Sequence, residues 1–174
     1  MQETTHGAAP SWMFRLAALD ARALDWVARS RSQTLSRIMR AVSRTGDTST
    51  VVAGLGLALM LRPGRAAALV TVSTLLALVA FSAAKRLCRR ARPLVHALVA
   101  PPDRFSMPSG HATCAFAIAV SVSALEPAGA ALACAWALAV SASRVVLGVH
   151  YPFDVAAGAL LGALSAGSVI ALSL

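Results

Sequence analysis

The sequence predicts an all-α protein: a polytopic transmembrane helix bundle with about five spans, preceded by interfacial amphipathic helices. Three observations predict it. Apolar residues make up 57% of the 174-residue chain and charged residues only 13%, against roughly 25% charged in an average soluble domain. The mean hydropathy is +0.69, and the charges border long uncharged stretches instead of interrupting them. Five apolar segments follow one another from residue 47 to the C-terminus, separated by breaks that contain Pro, Gly or Arg.

Taken in order, residues 1–10 read as a short disordered tail. Thr4 to Pro10 is small and polar, and no apolar core with a cleavage site follows, so no signal peptide is expected. Residues 11–46 are amphipathic. Trp12, Leu16, Leu19, Ala23 and Trp26 recur at helical steps, with Arg15, Arg22, Asp25 and Arg29 off that stripe. Leu35, Ile38, Met39 and Val42 then alternate with Arg37, Arg40 and Arg44. Neither run can cross a bilayer with so many charges, so both are expected to lie in the interface. The alternative is that they pack on the spans as ordinary helices.

Residues 47–174 form the expected membrane-embedded domain. Its first span runs from about Asp47 to Leu61 and ends at the turn Arg62-Pro63-Gly64-Arg65. The second runs from Ala66 to about Ala84, and its helix is expected to continue to Arg92, where Pro93 disfavours helix. Residues 94–108 form a Pro-containing loop. The third span starts near Ser109 and ends near Glu126-Pro127; the fourth covers Ala128 to about Leu147; the fifth begins near Phe153. Several of these are shorter than the ~20 residues of a usual crossing. Ala, Gly and Ser crowd them, which predicts close helix–helix packing.

Charge orients the bundle. Sixteen Lys+Arg face seven Asp+Glu, a net +9. Span parity puts the N-terminal helices, the 94–108 loop and the turn near 148 on one face. Fourteen of the sixteen basic residues lie there, and only Arg62 and Arg65 lie opposite. The positive-inside rule makes the loaded face cytoplasmic, in a bacterial inner membrane. A nucleic-acid partner is not expected, because the basic residues flank apolar segments; anionic headgroups explain them better. Cys88, Cys114 and Cys134 have no metal or redox spacing and read as small membrane-buried apolar residues.

Three clusters on the loaded face carry candidate chemistry. In the first, Lys85 precedes Arg92-Pro93 by seven positions, nearly two turns if helical, so both cations would share a side with Arg89. Alone, this reads as a basic helix end in headgroups. The second is Pro108-Ser109-Gly110-His111 at the start of a span. A helix N-terminus offers unpaired N–H groups to an anion, Gly110 permits close approach, and Ser109 either caps the helix or donates to the anion. His111 can titrate near neutrality. The third is Ser143-Arg144, then His150 and Asp154. The His-x-x-x-Asp spacing lets a carboxylate orient the imidazole, either across a helical turn or around a tight turn at Pro152.

Jointly these resemble the type 2 phosphatidic acid phosphatase superfamily, whose signature is Lys-x6-Arg-Pro, Pro-Ser-Gly-His and Ser-Arg-x5-His-x3-Asp. The match is complete at Lys85/Arg92/Pro93, Pro108 to His111, and Ser143/Arg144/His150/Asp154. Family members commonly have six spans; here interfacial helices stand in place of the first. The resemblance implies a lipid phosphate phosphatase with His150 as nucleophile, Asp154 supporting it and His111 serving the leaving group and then water. Lys85, Arg92, Ser109, Gly110 and Arg144 would hold the phosphate. It implies no cofactor and no metal, and the chain offers no carboxylate cluster suited to magnesium. The expected partners are the lipid substrate and the bilayer, with homo-oligomerisation left open. Substrate candidates are a polyprenyl diphosphate, phosphatidylglycerol phosphate, phosphatidic acid or a polyprenyl-linked sugar phosphate. A cytoplasmic site disfavours outward-facing undecaprenyl diphosphate. The competing readings are a vanadate-dependent haloperoxidase and a non-catalytic lipid-phosphate binder or transporter.

Overall fold

A computed structural model describes residues 11–93, 96–101 and 103–173; the expected tail at 1–10 lies outside them. Among the described residues, seven α-helices form in order: α1 (Ser11–Ser30), α2 (Gln33–Thr45), α3 (Thr48–Leu61), α4 (Arg65–Cys88), α5 (Gly110–Leu125), α6 (Ala130–Val146) and α7 (Pro152–Ser173). A short 3-10 turn, Pro127–Gly129, leads into α6. Three of the described segments are long and apolar enough to cross a membrane: Arg65–Cys88, Pro127–Val146 and Pro152–Ser173. The helices α3 and α5, of 14 and 16 residues, are apolar but shorter. Large apolar side chains such as Leu57, Met60, Val79, Leu132 and Leu164 point outward, the expected arrangement where the solvent is lipid.

At the centre lies α5, packed by α4, α6 and α7. Its buried positions are small: Ala112, Thr113, Cys114, Ala115, Ala117, Ala119 and Ser121. Small residues let helix backbones approach, which matters where lipid removes the usual hydrophobic drive. The partner surface on α7 is the pair Gly158 and Gly162. A Cβ at Gly158 would collide with the Ser109 carbonyl, and one at Gly162 with the Thr113 carbonyl. Gly162→Val should therefore lower stability by about 1–3 kcal/mol or more, read as a lower melting temperature in detergent. Gly54→Ala, where a Cβ meets nothing within 4 Å, should be neutral or stabilising.

The helix α4 ends earlier than expected. Cys88 is its last residue, and Arg89 adopts a left-handed conformation with φ 42°. The chain then pairs briefly with the loop, Ala91 opposite Phe105. Ser106 donates its N–H to the Arg90 carbonyl at 2.8 Å and its hydroxyl to the Ala91 carbonyl at 3.0 Å. Those carbonyls are thereby withdrawn from any helical ladder. Lys85 and Arg92 are thus brought together by a reversal of the chain and not by one helix face.

The N-terminal helices dock onto the site's side of the bundle. On α1 the residues that turn inward are Leu24 and Asp20, while Leu16, Leu19 and Trp26 of the apolar stripe stay exposed. The Arg31 guanidinium donates to the Val146 carbonyl at 2.7 Å and the His96 carbonyl at 2.9 Å. Asp25 lies 2.7 Å from His96 Nε2. On α2, Val42 packs against the cluster of Ala115, Ala119, Ala137 and Val140. Trp136 donates its indole N–H to Thr45 Oγ1 at 2.9 Å. The Arg31 and Asp25 contacts hold the loop at His96 against α1.

Candidate active site

Six of the eight residues singled out by spacing line one cavity of about 540 Å³: Lys85, Arg92, Gly110, His111, Arg144 and His150. Asp154 and Ser109 stand behind its wall, both fully buried. The cavity also takes Arg40 and Arg44 from α2, Asp47 at the head of α3, and Asp103 from the loop.

His150 sits in the turn before α7, which Gly148 opens. That glycine has φ +73°, and a Cβ there would collide with the His96 carbonyl. His150 Nε2 is 3.0 Å from Arg92 Nη1. A guanidinium only donates, so Nε2 must be the acceptor and the ring proton must sit on Nδ1. Nδ1 faces Asp154 Oδ2 at 3.8 Å, too long for a hydrogen bond, and it has no partner among the described residues. A closure of about 1 Å would make that bond, as often happens when a substrate tightens a site.

Asp154 is itself fixed. The Tyr151 N–H donates to Oδ2 at 2.8 Å and Arg90 Nη1 to Oδ1 at 3.0 Å. The Ser109 N–H donates to the Asp154 carbonyl at 2.9 Å, which ties the second cluster to the third. Ser109 does not cap α5 with its side chain; its hydroxyl is buried and unpartnered among the described residues. A Cβ at Gly110 would press on the Phe81 ring at 3.0 Å. The same ring lies under Lys85 Nζ at 4.8 Å.

Burial drives the His150 pKa down from 6.5 to about 4, and the nearby Arg92 and Arg144 charges oppose protonation further, although Asp154 favours it. The imidazole is therefore neutral at pH 7 with a free pair on Nε2. Because the folded value lies below the unfolded one, the unfolded chain binds this proton more readily as pH falls. The resulting stability is present above about pH 6.5 and is lost as pH falls toward about 4. Nitrogen NMR on selectively labelled protein should find His150 as the neutral Nδ1–H form from pH 5 to 8.

Asp103 and Asp47 were not legible as site residues. The Asp103 carboxylate bridges the first cluster, 2.6 Å from Lys85 Nζ and 2.9 Å from Arg92 Nη2. Arg92 Nε also donates to the Asp103 carbonyl at 2.8 Å. Burial alone would raise the Asp103 carboxyl, but hydrogen bonds from Lys85 and Arg92 outweigh it and hold it below the usual carboxylate range. Asp47 Oδ1 lies 2.8 Å from His111 Nε2. Arg144 is buried with one guanidinium nitrogen bonded to Ser43 of α2, and its Nε has no partner among the described residues. Arg89 points elsewhere, donating to the Arg86 carbonyl at 3.0 Å. Among the described residues, no three of His, Cys, Asp and Glu converge as metal ligands would.

Fold and site together define a membrane helix bundle with two histidines set among cations in one cavity, a site suited to an anion. The sequence model of the PAP2 superfamily matches residues 66–173, and the chain belongs to that superfamily. It is 40% identical over 89 residues to decaprenylphosphoryl-5-phosphoribose phosphatase of Mycobacterium tuberculosis, covering 49% of each chain. The chain thus spans about half the length of the curated relatives it matches. The fold is shared with a transmembrane PAP2-type phosphatidylglycerolphosphate phosphatase from Bacillus subtilis, with TM-score 0.81 and 23% identity over 91% of this chain and 86% of that one. It is shared as well with LpxE from Aquifex aeolicus, with TM-score 0.77 and 22% identity over 88% and 95%. Helices α1 to α3, with Asp47 and Ser43, lie outside the matched family segment.

Proposed function

We propose that the chain is a lipid phosphate phosphatase that works through a phosphohistidine at His150. The observation that carries this reading is the neutral His150 imidazole, its Nε2 lone pair turned toward Arg92 in a cavity shared with His111, Lys85 and Arg144. On substrate entry Arg92 Nη1 shifts from Nε2 to a phosphate oxygen. Nε2 attacks phosphorus, the bond to the ester oxygen breaks, and His111, which takes up a proton when the phosphate anion enters beside it, gives that proton to the leaving alkoxide. Asp154 supports the imidazolium that forms. Neutral His111 then takes a proton from water, which attacks phosphorus and releases phosphate and His150. Lys85, Arg92 and Arg144 stabilise the charge on the transferring group, with the Ser109 hydroxyl and Gly110 amide at the head of α5. Asp103 yields its two cations to the phosphate when substrate arrives.

Among the candidate lipids, a polyprenyl-linked sugar phosphate is favoured. Two observations support it: the names of the mycobacterial relatives, and Arg40 and Arg44 at the cavity wall, which would suit a headgroup with a second anionic group. The charge asymmetry supports a cytoplasmic active-site face. The test is phosphate release by purified protein in detergent from a polyprenyl diphosphate, phosphatidylglycerol phosphate, phosphatidic acid and a polyprenylphosphoryl sugar phosphate, with and without EDTA. The expected result is fastest release from the last, unaffected by EDTA. Release no greater than that of His150→Ala from every lipid would overturn the reading.

A further inference from the structure

The amphipathic N-terminal helix carries one residue that its surface pattern does not explain. Asp20 of α1 is buried, with its side chain 1% exposed, although the polar side of such a helix is expected to face water or headgroups. An uncompensated carboxylate there would be costly. Two contacts compensate it. The Phe153 N–H, at the head of α7, donates to Asp20 Oδ1 at 3.0 Å. Arg90 Nη2 lies 2.6 Å from Asp20 Oδ2.

Arg90 is shared. Its other terminal nitrogen donates to Asp154 Oδ1 at 3.0 Å, and its guanidinium lies over the Tyr151 ring at 4.2 Å. One cation thus stands between two carboxylates. Alone with Asp154, Arg90 would cancel the negative charge that is needed beside His150. With Asp20 on its far side, the trio keeps one net negative charge while Arg90 still clamps the Asp154 rotamer. In a low-dielectric site that remaining charge acts strongly on a cation forming nearby.

We infer that Asp20 and Arg90 are positioning residues for the reaction. Arg90 holds the Asp154 carboxylate toward His150, and Asp20 neutralises Arg90 so that Asp154 can stabilise the phosphohistidine cation. The inference rests on His150 being the nucleophile. It makes α1, which lies outside the matched family segment of residues 66–173, a working part of the site.

The test uses the full chain in detergent and the lipid of the panel above that turns over fastest. Asp20→Asn keeps an oxygen for the Phe153 N–H and removes only the charge. It should lower kcat by roughly tenfold or more, leave KM within about twofold of the native value, and leave the melting temperature nearly unchanged. Adding Arg90→Gln to Asp20→Asn removes the uncancelled cation and should recover part of kcat. Residues that merely hold the fold would not compensate in this way. An Asp20→Asn kcat within twofold of native would overturn the inference, as would a double variant no faster than the single one. If Asp20→Asn does not fold, Arg90→Gln is measured alone. It leaves two facing carboxylates, so the acid limb of kcat should move to higher pH, and an unmoved limb overturns the inference. His150→Ala in the same assay separates the two levels, because its retained turnover would remove the nucleophile reading itself.

Discussion

His150→Ala should release no phosphate above background, a loss of at least about a thousandfold in kcat, while the protein still inserts and elutes as a folded species. The reason is chemical. His150 Nε2 is the nucleophile in the proposed reaction, and no other described imidazole approaches Arg92 and Asp154 together. Native protein quenched in alkali during turnover of a ³²P-labelled lipid phosphate should carry an acid-labile label, and the variant should carry none. A labelled His150→Ala protein, or one that turns over at near-native rate, would refute His150 as the phosphorylated nucleophile. The cavity should survive the change, because its wall is built mostly by neighbouring helices.

His111→Ala should slow turnover by about 10²- to 10⁴-fold, with a pattern that depends on the leaving group. A lipid alkoxide needs a proton to depart, so the first step stalls and little phosphoenzyme forms. A p-nitrophenolate leaves without that help, so His150 should still be phosphorylated. Hydrolysis, which needs His111 as a base, then lags. The expected signature is a burst of p-nitrophenol followed by slow turnover, with phosphohistidine accumulating. Equal slowing with both leaving groups and no burst would assign His111 a structural role. Asp47→Asn should reproduce a milder form of the same pattern, since it contacts His111 Nε2 at 2.8 Å and removes its charge support.

Local patterns in the sequence mark the motif residues and most of the helix boundaries. The segments expected near 109–126 and from 153 onward appear as Gly110–Leu125 and Pro152–Ser173, because Pro and charge punctuate them in the sequence itself. Signals that depend on distant contacts were not legible. Beyond the end of α4 at Cys88 the chain is held by Ser106, whose bonds to Arg90 and Ala91 span about sixteen residues. Asp103 and Asp47 meet their basic partners across loops, with no spacing rule linking them. Asp20 carries no spacing signal of its own; its burial depends on Arg90 and Phe153, 70 and 133 positions away. One weak signal was available. The chain has only five aspartates, at positions 20, 25, 47, 103 and 154, and each lies on the arginine-rich face. In so basic a chain, acids gathered there point to ion pairs within the site.

The glycine seam between α5 and α7 has a consequence beyond packing. Ser109 and His111 begin one helix; His150 and Asp154 open the other. Gly158 meets the Ser109 carbonyl and Gly162 the Thr113 carbonyl, with no side chain between. The seam therefore acts as a spacer of zero thickness, and the gap between the two histidines is measured out by bare backbone. A methyl group inserted there would widen the gap across which a proton and a phosphoryl group must pass. Such variants should lose turnover at temperatures where they are still fully folded.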